Sequence, residues 1–174
     1  MFLSDIEEGT SIFIDANIFI YHFSKESRFN HACSNFLEYI ETESITGVTS
    51  LPVVQEATHR MMIVEAAARH PEIKVKDMVK YLKANPEEVK KLTRHREIPS
   101  KIDSLNVKTI SLELEMIKTS QMMKRRYGFL SNDALTLQIM EDLKIKNLAS
   151  NDTDFERVDF IKLYRPSEYI VLPK

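Results

Sequence analysis

The segment SIFIDANIFIY, residues 11–21, decides the fold of this chain. Its apolar residues lie on both sides of a single acidic residue, Asp15. A short apolar run without polar alternation is typical of a strand that is covered on both faces, as in a parallel sheet. A carboxylate at the end of a buried strand is costly unless a cation or hydrogen-bond donors meet it. Because ligands bind at the carboxyl ends of such strands, Asp15 is the first candidate site residue, although Asp15 or Asn17 would also serve as a helix cap.

The length and the amino-acid composition of the chain indicate a single globular domain. The chain has 174 residues, of which 43% are hydrophobic and 29% are charged, values typical of a water-soluble globular protein. Since there are only 3 Gly and 6 Pro, we expect long regular elements and few unusual turns. We predict a single domain over residues 1–165 and a tail over residues 166–174, in which the sequence YIVL is a candidate edge strand.

The cysteine count and the N-terminal sequence predict the cellular compartment of the protein. A single cysteine, Cys33, excludes an internal disulfide and a cysteine-based metal cluster, and it fits a reducing cytosol. The N-terminus lacks a basic segment followed by an apolar core, and no segment approaches the ~18 apolar residues of a membrane span. We therefore expect a cytoplasmic protein without a membrane segment.

The apolar spacing along the chain predicts alternating strands and helices, and hence an α/β fold with a central parallel sheet of about five strands. The strands predicted after the first are residues 45–49, 105–110, 146–150 and 160–164. The main predicted helices are residues 29–40, residues 50–68, residues 111–124 with Gly128 closing the helix, and a helix capped by Ser131 or Asn132. Residues 70–102 have helical spacing without a strand, so we interpret them as a helical insertion or lid.

Acidic residues recur at the carboxyl ends of predicted strands or near the starts of predicted helices: Asp15, Glu56, Asp133, Asp152 and Asp154. Parallel topology brings such positions together although they are far apart in the sequence. Carboxylates that converge without Lys or Arg repel one another, and a divalent cation relieves that repulsion. Oxygen ligands favour Mg²⁺ or Mn²⁺, and the sequence has no Cys/His spacing for zinc.

Each acid also has an ordinary structural explanation. Glu56 precedes Arg60 by four positions, which is the spacing of an ion pair on a helix surface. Asp133 suits the positive end of a helix dipole, and Asp152 suits the cap of a turn. The occurrence of all the acids at one edge of the predicted sheet is what favours a site.

The net charge of −2 gives by itself no sign of a nucleic-acid partner. Any metal-binding carboxylates are counted in that total, however, and without four of them 22 acidic residues face 24 basic residues. The rest of the protein is then slightly basic, so its net charge does not oppose the binding of a polyanion such as a nucleic acid.

In four segments the chain resembles the PIN-domain family, of the kind found as the toxin ribonuclease in VapBC toxin–antitoxin pairs. The segments are FIDANIFIY, VVQEATHRM, LSNDALTLQIM and ASNDTDFERV, and they occur in the order of the family. The resemblance implies a three-layer α/β/α sandwich and metal-dependent hydrolysis of RNA, with 5′-phosphate and 3′-hydroxyl products. It also implies an antitoxin partner and, since small family members often pair, a homodimer.

The same resemblance implies roles for individual residues. The implied acidic site is Asp15, Glu56, Asp133 and Asp152, with Asp154 as a supplementary ligand. Asn17 and Ser50 match positions that often hydrogen-bond the acids. This chain departs from the pattern in its helical segment 70–102 and in the residues Ala-Ser-Asn-Asp, where Thr-Arg-Asp or Thr-Asn-Asp is commoner.

Two basic clusters, residues 90–96 and 124–127, are candidates for binding an RNA backbone. Both also suit the C-terminal ends of helices, and we prefer that explanation for the second cluster, which precedes Gly128. From the first cluster we expect Arg94 and Arg96 to contact RNA, and we expect Arg60 near the mouth of the site.

Two other classes of function fit part of the sequence. A non-catalytic PIN-like module would bind RNA or protein without cleavage. A phosphatase of the haloacid-dehalogenase type also begins with an aspartate after a buried strand. Resemblance to that family would require an aspartate at position 17, where this chain has Asn17.

Overall fold

The computed structural model describes residues 1–168 of the chain, and it contains a five-stranded sheet. The strands are β1 (Ser11–Ile14), β2 (Thr46–Ser50), β3 (Lys108–Ile110), β4 (Asn147–Ala149) and β5 (Lys162–Tyr164). Their order is β3-β2-β1-β4-β5, and every neighbouring pair is parallel. The predicted α/β fold with a central parallel sheet of five strands is confirmed. The candidate edge strand YIVL lies outside the described residues.

Helices connect the strands, as parallel pairing requires. They are α1 (Ala16–Phe23), α2 (Asn30–Glu41), α3 (Leu51–Arg69), α4 (Val75–Ala84), α5 (Pro86–Lys91), α6 (Ile98–Ser104), α7 (Leu114–Thr119), α8 (Gln121–Tyr127) and α9 (Ser131–Asp142). Short 3₁₀ turns occur at Leu3–Asp5, Arg94–Glu97 and Thr153–Arg157. No helix within residues 1–168 is long and apolar enough to cross a membrane.

Strand β1 lies at the centre of the sheet, between β2 and β4. Ile12, Phe13 and Ile14 are completely buried because the sheet is covered on both faces. Ile14 pairs with Ala149 of β4, so the next residue of each strand, Asp15 and Ser150, emerges at the same edge. The fold therefore fixes which polar residues flank Asp15.

The segment 11–21 is a strand only as far as Ile14. Asp15 is the N-cap of α1, and its carboxylate accepts a hydrogen bond from the N–H of Ala16. The apolar residues after Asp15 do not extend the strand, since Ile18 and Phe19 are buried on the inner face of a helix. A triplet of apolar residues has no periodicity that separates one turn of helix from a buried strand.

The predicted N-terminal caps of two later helices, Ser111 for one and Ser131 or Asn132 for the other, are wrong. The predicted helix 111–124 is two short helices that meet at Ser120, and α7 begins after Glu113 rather than after Ser111. Helix α9 begins after Leu130, so neither Ser131 nor Asn132 is its cap. Gly128 closes α8 in the left-handed region, at φ 71°, as its position after the helix predicts.

Residues 70–104 form α4, α5, the 3₁₀ turn Arg94–Glu97 and α6, without a strand. Part of this segment packs on the second half of α3 around a small apolar cluster of Ala66, Met78, Leu82 and Leu92, which is separate from the main core. The buried carboxylate of Glu65 accepts hydrogen bonds from the backbone N–H groups of Thr93 and Arg94, both at 2.9 Å. The helical segment is thus held to α3 by apolar packing and by one buried acid.

Candidate active site

A cleft of about 780 Å³ opens at the carboxyl ends of β1 and β4. The strand order reverses between these two strands, which is where open α/β sheets bind ligands. Four predicted acids line the cleft: Asp15, Glu56, Asp133 and Asp152. They come from β1, α3, α9 and the segment after β4, so the topology brings together four regions of the sequence.

Asp15 is held from three sides. Its Oδ1 accepts from the N–H of Ala16 at 2.7 Å, and its Oδ2 accepts from the hydroxyl of Ser150 at 2.6 Å. The side-chain amide of Asn17 also donates to Oδ2. Asp15 is therefore both a helix cap and a member of the acidic cleft, and the two interpretations of its sequence position are compatible.

The electrostatics of the cleft disfavour ionised carboxylates. The pKa of Asp15 is raised from 3.8 to about 6, mainly by burial and to a smaller extent by the charges of Glu56 and Asp133, against the opposing effect of its hydrogen bonds. Burial also raises the pKa of Asp133, followed by the negative charges of Asp152, Glu56 and Asp154. A cation in the cleft would relieve this repulsion.

Glu56 satisfies both of its sequence interpretations. It makes the predicted i,i+4 ion pair with Arg60, at 3.5 Å, and it lines the cleft beside Asn132, whose side-chain amide donates to it at 3.4 Å. Arg60 lines the cleft as well, as expected for a basic residue near the mouth of the site. The ion pair fixes the position of the glutamate without removing it from the site.

The two acids after β4 are placed differently. Asp152 caps the turn Thr153–Arg157 through the N–H of Asp154, at 2.8 Å, and it lines the cleft. Asp154 is exposed and lies 3.7 Å from Arg157 in an ion pair. It is outside the lining of the cleft, although its charge still reaches Asp133.

A family model with the description PIN domain matches residues 12–161. The chain belongs to the PIN-domain family. Ribonuclease VapC2 of Methanocaldococcus jannaschii is 29% identical to it over 156 residues, which cover 90% of this chain and 94% of that protein. The alignment covers nearly all of both proteins, so it runs across the helical segment 70–104.

Solved structures share the fold of this PIN domain. VapC20 of Mycobacterium tuberculosis, described as a toxin that cleaves the sarcin-ricin loop, has a TM-score of 0.58 at 12% identity and covers 86% of this chain and 96% of its own. VapBC2 of Rickettsia felis, bound to a DNA fragment from its promoter, has a TM-score of 0.56 at 16% identity, with coverages of 90% and 99%. At such identities the likeness shows the fold alone.

The hydrogen bonds that support the acids involve residues that sequence reasoning missed. Asn17 makes the expected bond to Asp15, and it also donates to Ser150 at 2.9 Å and accepts from the N–H of Asn151 at 3.1 Å. For Ser50 the expected bond to an acid is absent among the described residues, and Ser150 makes the bond to Asp15 instead. The missed signal was the strand register, which places Ser150 beside Asp15.

The donor set of this PIN domain fits a divalent cation. The cleft offers carboxylate oxygens, a ligand type that Mg²⁺ and Mn²⁺ prefer, and burial together with neighbouring negative charges raises the pKa values of Asp15 and Asp133. Within residues 1–168, however, no group of three or more Asp, Glu, His or Cys side chains is positioned to hold a metal ion as the side chains stand. The candidate carboxylates therefore line one cleft, but their side chains do not have the geometry of a metal-coordination site.

The basic clusters are mostly engaged in local contacts. Lys90 and Lys91 pair with Glu87 and Glu88, each at 2.6 Å. The guanidinium of Arg96 donates to the carbonyl of Lys90 at 2.7 Å, and Arg126 of the second cluster pairs with Asp159 at 2.9 Å.

Arg94 is placed differently from its neighbours in the first cluster. Its guanidinium donates to the carbonyl of Phe23, at 3.5 Å, and it lines a second groove. Neither Arg94 nor Arg96 lines the acidic cleft.

Proposed function

We propose that this PIN domain is a metal-dependent endoribonuclease of the VapC toxin type. The observation that carries the proposal is the convergence of Asp15, Glu56, Asp133 and Asp152 on one cleft at the carboxyl edge of the sheet. The relative named Ribonuclease VapC2 supports RNA as the substrate. VapC20, which is described as a toxin, supports the toxin type, and the sequence resemblance to the toxins of VapBC toxin–antitoxin pairs supports an antitoxin partner.

The metal ligands in this proposal are Asp15, Asp133 and Asp152, with Glu56 completing the acidic set and Asp154 as a supplementary ligand. A bound Mg²⁺ or Mn²⁺ would lower the pKa of a coordinated water and offset negative charge on the phosphate. Hydrolysis would add water to the phosphorus and break its bond to the 3′ oxygen, which leaves 5′-phosphate and 3′-hydroxyl ends.

The residues around the acids act by positioning. Ser150 and Asn17 hold the carboxylate of Asp15 in one orientation. Arg60 and Asn132 hold Glu56 on the wall of the cleft, and Arg60 also supplies positive charge for a substrate phosphate. A protein nucleophile is not required, because water attacks the phosphorus directly.

The proposal also covers the cellular location, the partners and the oligomeric state of the protein. We propose a cytoplasmic protein whose substrate is RNA and whose partner is an antitoxin. A homodimer is part of the same proposal, by analogy with small PIN proteins.

Cleavage of labelled mixed RNA tests the proposal. We expect cleavage by the purified protein with Mg²⁺ or Mn²⁺ and none with EDTA, because the acids act on the phosphate through a metal ion. Asp15→Asn should lower the rate on the order of 100-fold or more, whereas Asp77→Asn, an exposed acid of α4 outside the cleft, should not lower it. Cleavage that persists in EDTA, or that Asp15→Asn leaves unchanged, would contradict the proposal.

A non-catalytic PIN-like module is the second candidate function. The observation in its favour is that the cleft acids within residues 1–168 are not arranged to hold a metal ion as they stand. Such a module would bind RNA or protein in EDTA as well as in Mn²⁺ and would cleave no RNA. The same assay therefore separates the two candidates.

A further inference from the structure

A second groove, of about 610 Å³, lies beside α1 on the surface of the molecule. Its lining comes from the end of α1, the start of α2, α3, the turn Arg94–Glu97 and α6. The charged residues in this lining are Lys25, Arg94 and Lys101, and none of the described residues that line it is acidic. We call this feature the basic groove.

Positive charge in the basic groove is only partly neutralised. Lys101 pairs with Glu97 at 2.8 Å. Lys25 and Arg94 have no ion pair with any of the residues 1–168. Burial lowers the pKa of His22, which also lines the groove, so this side chain adds no charge at neutral pH. The cations available to a ligand are therefore Lys25 and Arg94.

Arg94 is placed in the groove by its backbone. The buried carboxylate of Glu65 binds the N–H groups of Thr93 and Arg94, at the start of the turn Arg94–Glu97. The guanidinium of Arg94 then reaches the carbonyl of Phe23 at the end of α1. An arginine whose backbone is held beside the groove loses less conformational entropy when it binds a phosphate than one on a mobile loop does.

The basic groove adjoins the acidic cleft. Ile20 and Tyr21 of α1 line the cleft, and the next two residues, His22 and Phe23, line the groove. The same holds on α3, where Arg60 lines the cleft and its neighbour Met61 lines the groove. The groove and the cleft therefore lie close to each other along both helices.

We propose that the basic groove binds the phosphate backbone of RNA that extends beyond the acidic cleft, with Lys25 and Arg94 as the phosphate contacts. The proposal rests on the proposed function, since the cleft must hold RNA for its strand to continue into the groove. RNA is favoured over an acidic protein segment because the groove lies close to the cleft in which the substrate is cleaved. The proposal assigns the RNA contact to Arg94 and not to Arg96.

The salt dependence of RNA binding tests this assignment. Binding of a long labelled single-stranded RNA is measured over a salt series in EDTA, in an Asp15→Asn background that prevents cleavage. Log affinity falls as log salt concentration rises, and the double variant Lys25→Gln/Arg94→Gln should make this slope shallower by about 1.4. That is about 0.7 for each lost phosphate contact. Affinity at low salt should fall on the order of tenfold.

Two matched comparisons complete the experiment. Arg96→Gln removes the same charge from the same turn but outside the groove, and it should leave the slope unchanged. A labelled trinucleotide, too short to leave the cleft, should lose less affinity than the long RNA in the double variant. Thermal unfolding of each variant shows whether it is folded.

Each outcome is decisive. If the slope falls in the folded double variant and not in Arg96→Gln, the basic groove binds RNA. If the wild type cleaves RNA but the double variant keeps the full slope, the inference fails while the proposed function stands. If the wild type cleaves no RNA with any metal, the proposed function fails. If the groove binds a polyglutamate peptide more tightly than RNA, its occupant is an acidic protein segment and the inference is overturned.

Discussion

The carboxylate of Asp15 lies at a point where burial and hydrogen bonding oppose each other. Its half-buried position in a cleft of acids disfavours its charge, while Ser150 and the N–H of Ala16 favour it. Burial is the larger effect, and the pKa is raised to about 6. Such a residue costs free energy in the metal-free protein and regains it when a cation binds.

This cost leads to a prediction for stability against pH. Protonated Asp15 stabilises the folded state below about pH 4, and this contribution is lost as the pH rises through about 6. Asp15→Asn removes the titrating charge. Above pH 6 and without metal, we therefore expect the variant to be more stable than the wild type, by roughly 1 to 3 kcal/mol.

Chemical denaturation in EDTA at pH 5 and at pH 8 measures the difference. The advantage of the variant should be larger at pH 8 than at pH 5, and Asp77→Asn, which changes an exposed acid outside the cleft, should show no such advantage. A variant that is less stable than the wild type at pH 8 would contradict the account of Asp15.

The acids of the cleft could be predicted from the sequence, and their supporting residues could not. Asp15, Glu56, Asp133 and Asp152 follow from strand ends and helix starts, because parallel topology has few arrangements. The bond from Ser150 to Asp15 depends on the register between β1 and β4, which apolar spacing does not specify.

At the scale of elements, Glu65 connects α3 to the turn Arg94–Glu97. Burial alone would raise the pKa of this carboxyl, but the hydrogen bonds from Thr93 and Arg94 and the charge of Arg69 together lower it. The N–H groups that it binds are those at the start of a helical turn, so Glu65 acts as a cap supplied by another helix.

We expect Glu65→Gln to destabilise the protein by about 2 kcal/mol, because the amide replaces one acceptor oxygen with a donor that faces a backbone N–H. Amide hydrogen exchange should become faster at residues 93–97 before it changes in the main sheet. Glu87→Gln, which alters an exposed ion pair, is the control and should cost less than 1 kcal/mol.

The pH dependence gives an independent readout for Glu65. Since its pKa is lowered in the folded state, its stabilisation is present above about pH 4.5 and is lost as the pH falls below that value. The difference between wild type and Glu65→Gln should therefore shrink under acid conditions. A constant difference between pH 3 and pH 7 would show that the carboxylate charge is not what holds the turn.

The types of the long elements were predictable, and several of their ends were not. Helix α2 has a clear apolar stripe, and Pro52 and Pro86 lie in the first turns of α3 and α5, where proline is favoured. The helix predicted over 111–124 breaks at Ser120, whose hydroxyl donates to the carbonyl of Ile117. A single serine that bonds back to its own helix leaves no pattern in the spacing of apolar residues.

At the scale of the whole molecule, the topology places the acidic cleft where the strand order reverses. The interpretation of residues 70–102 as an insertion stays a prediction, and the structure folds residues 70–104 into three helices and a 3₁₀ turn. This segment supplies Arg94 and Lys101 to the basic groove, which could not be predicted because its residues lie far apart in the sequence.

The central claim is that the acidic cleft binds a divalent metal ion, and titration of the protein with Mn²⁺ by calorimetry tests it without requiring the natural RNA. We predict that the wild type binds Mn²⁺ and that Asp15→Asn and Asp133→Asn each weaken binding on the order of 10-fold or more, whereas Asp77→Asn binds like the wild type. Binding that the two cleft variants leave unchanged, or a wild type that binds no Mn²⁺, would contradict the claim.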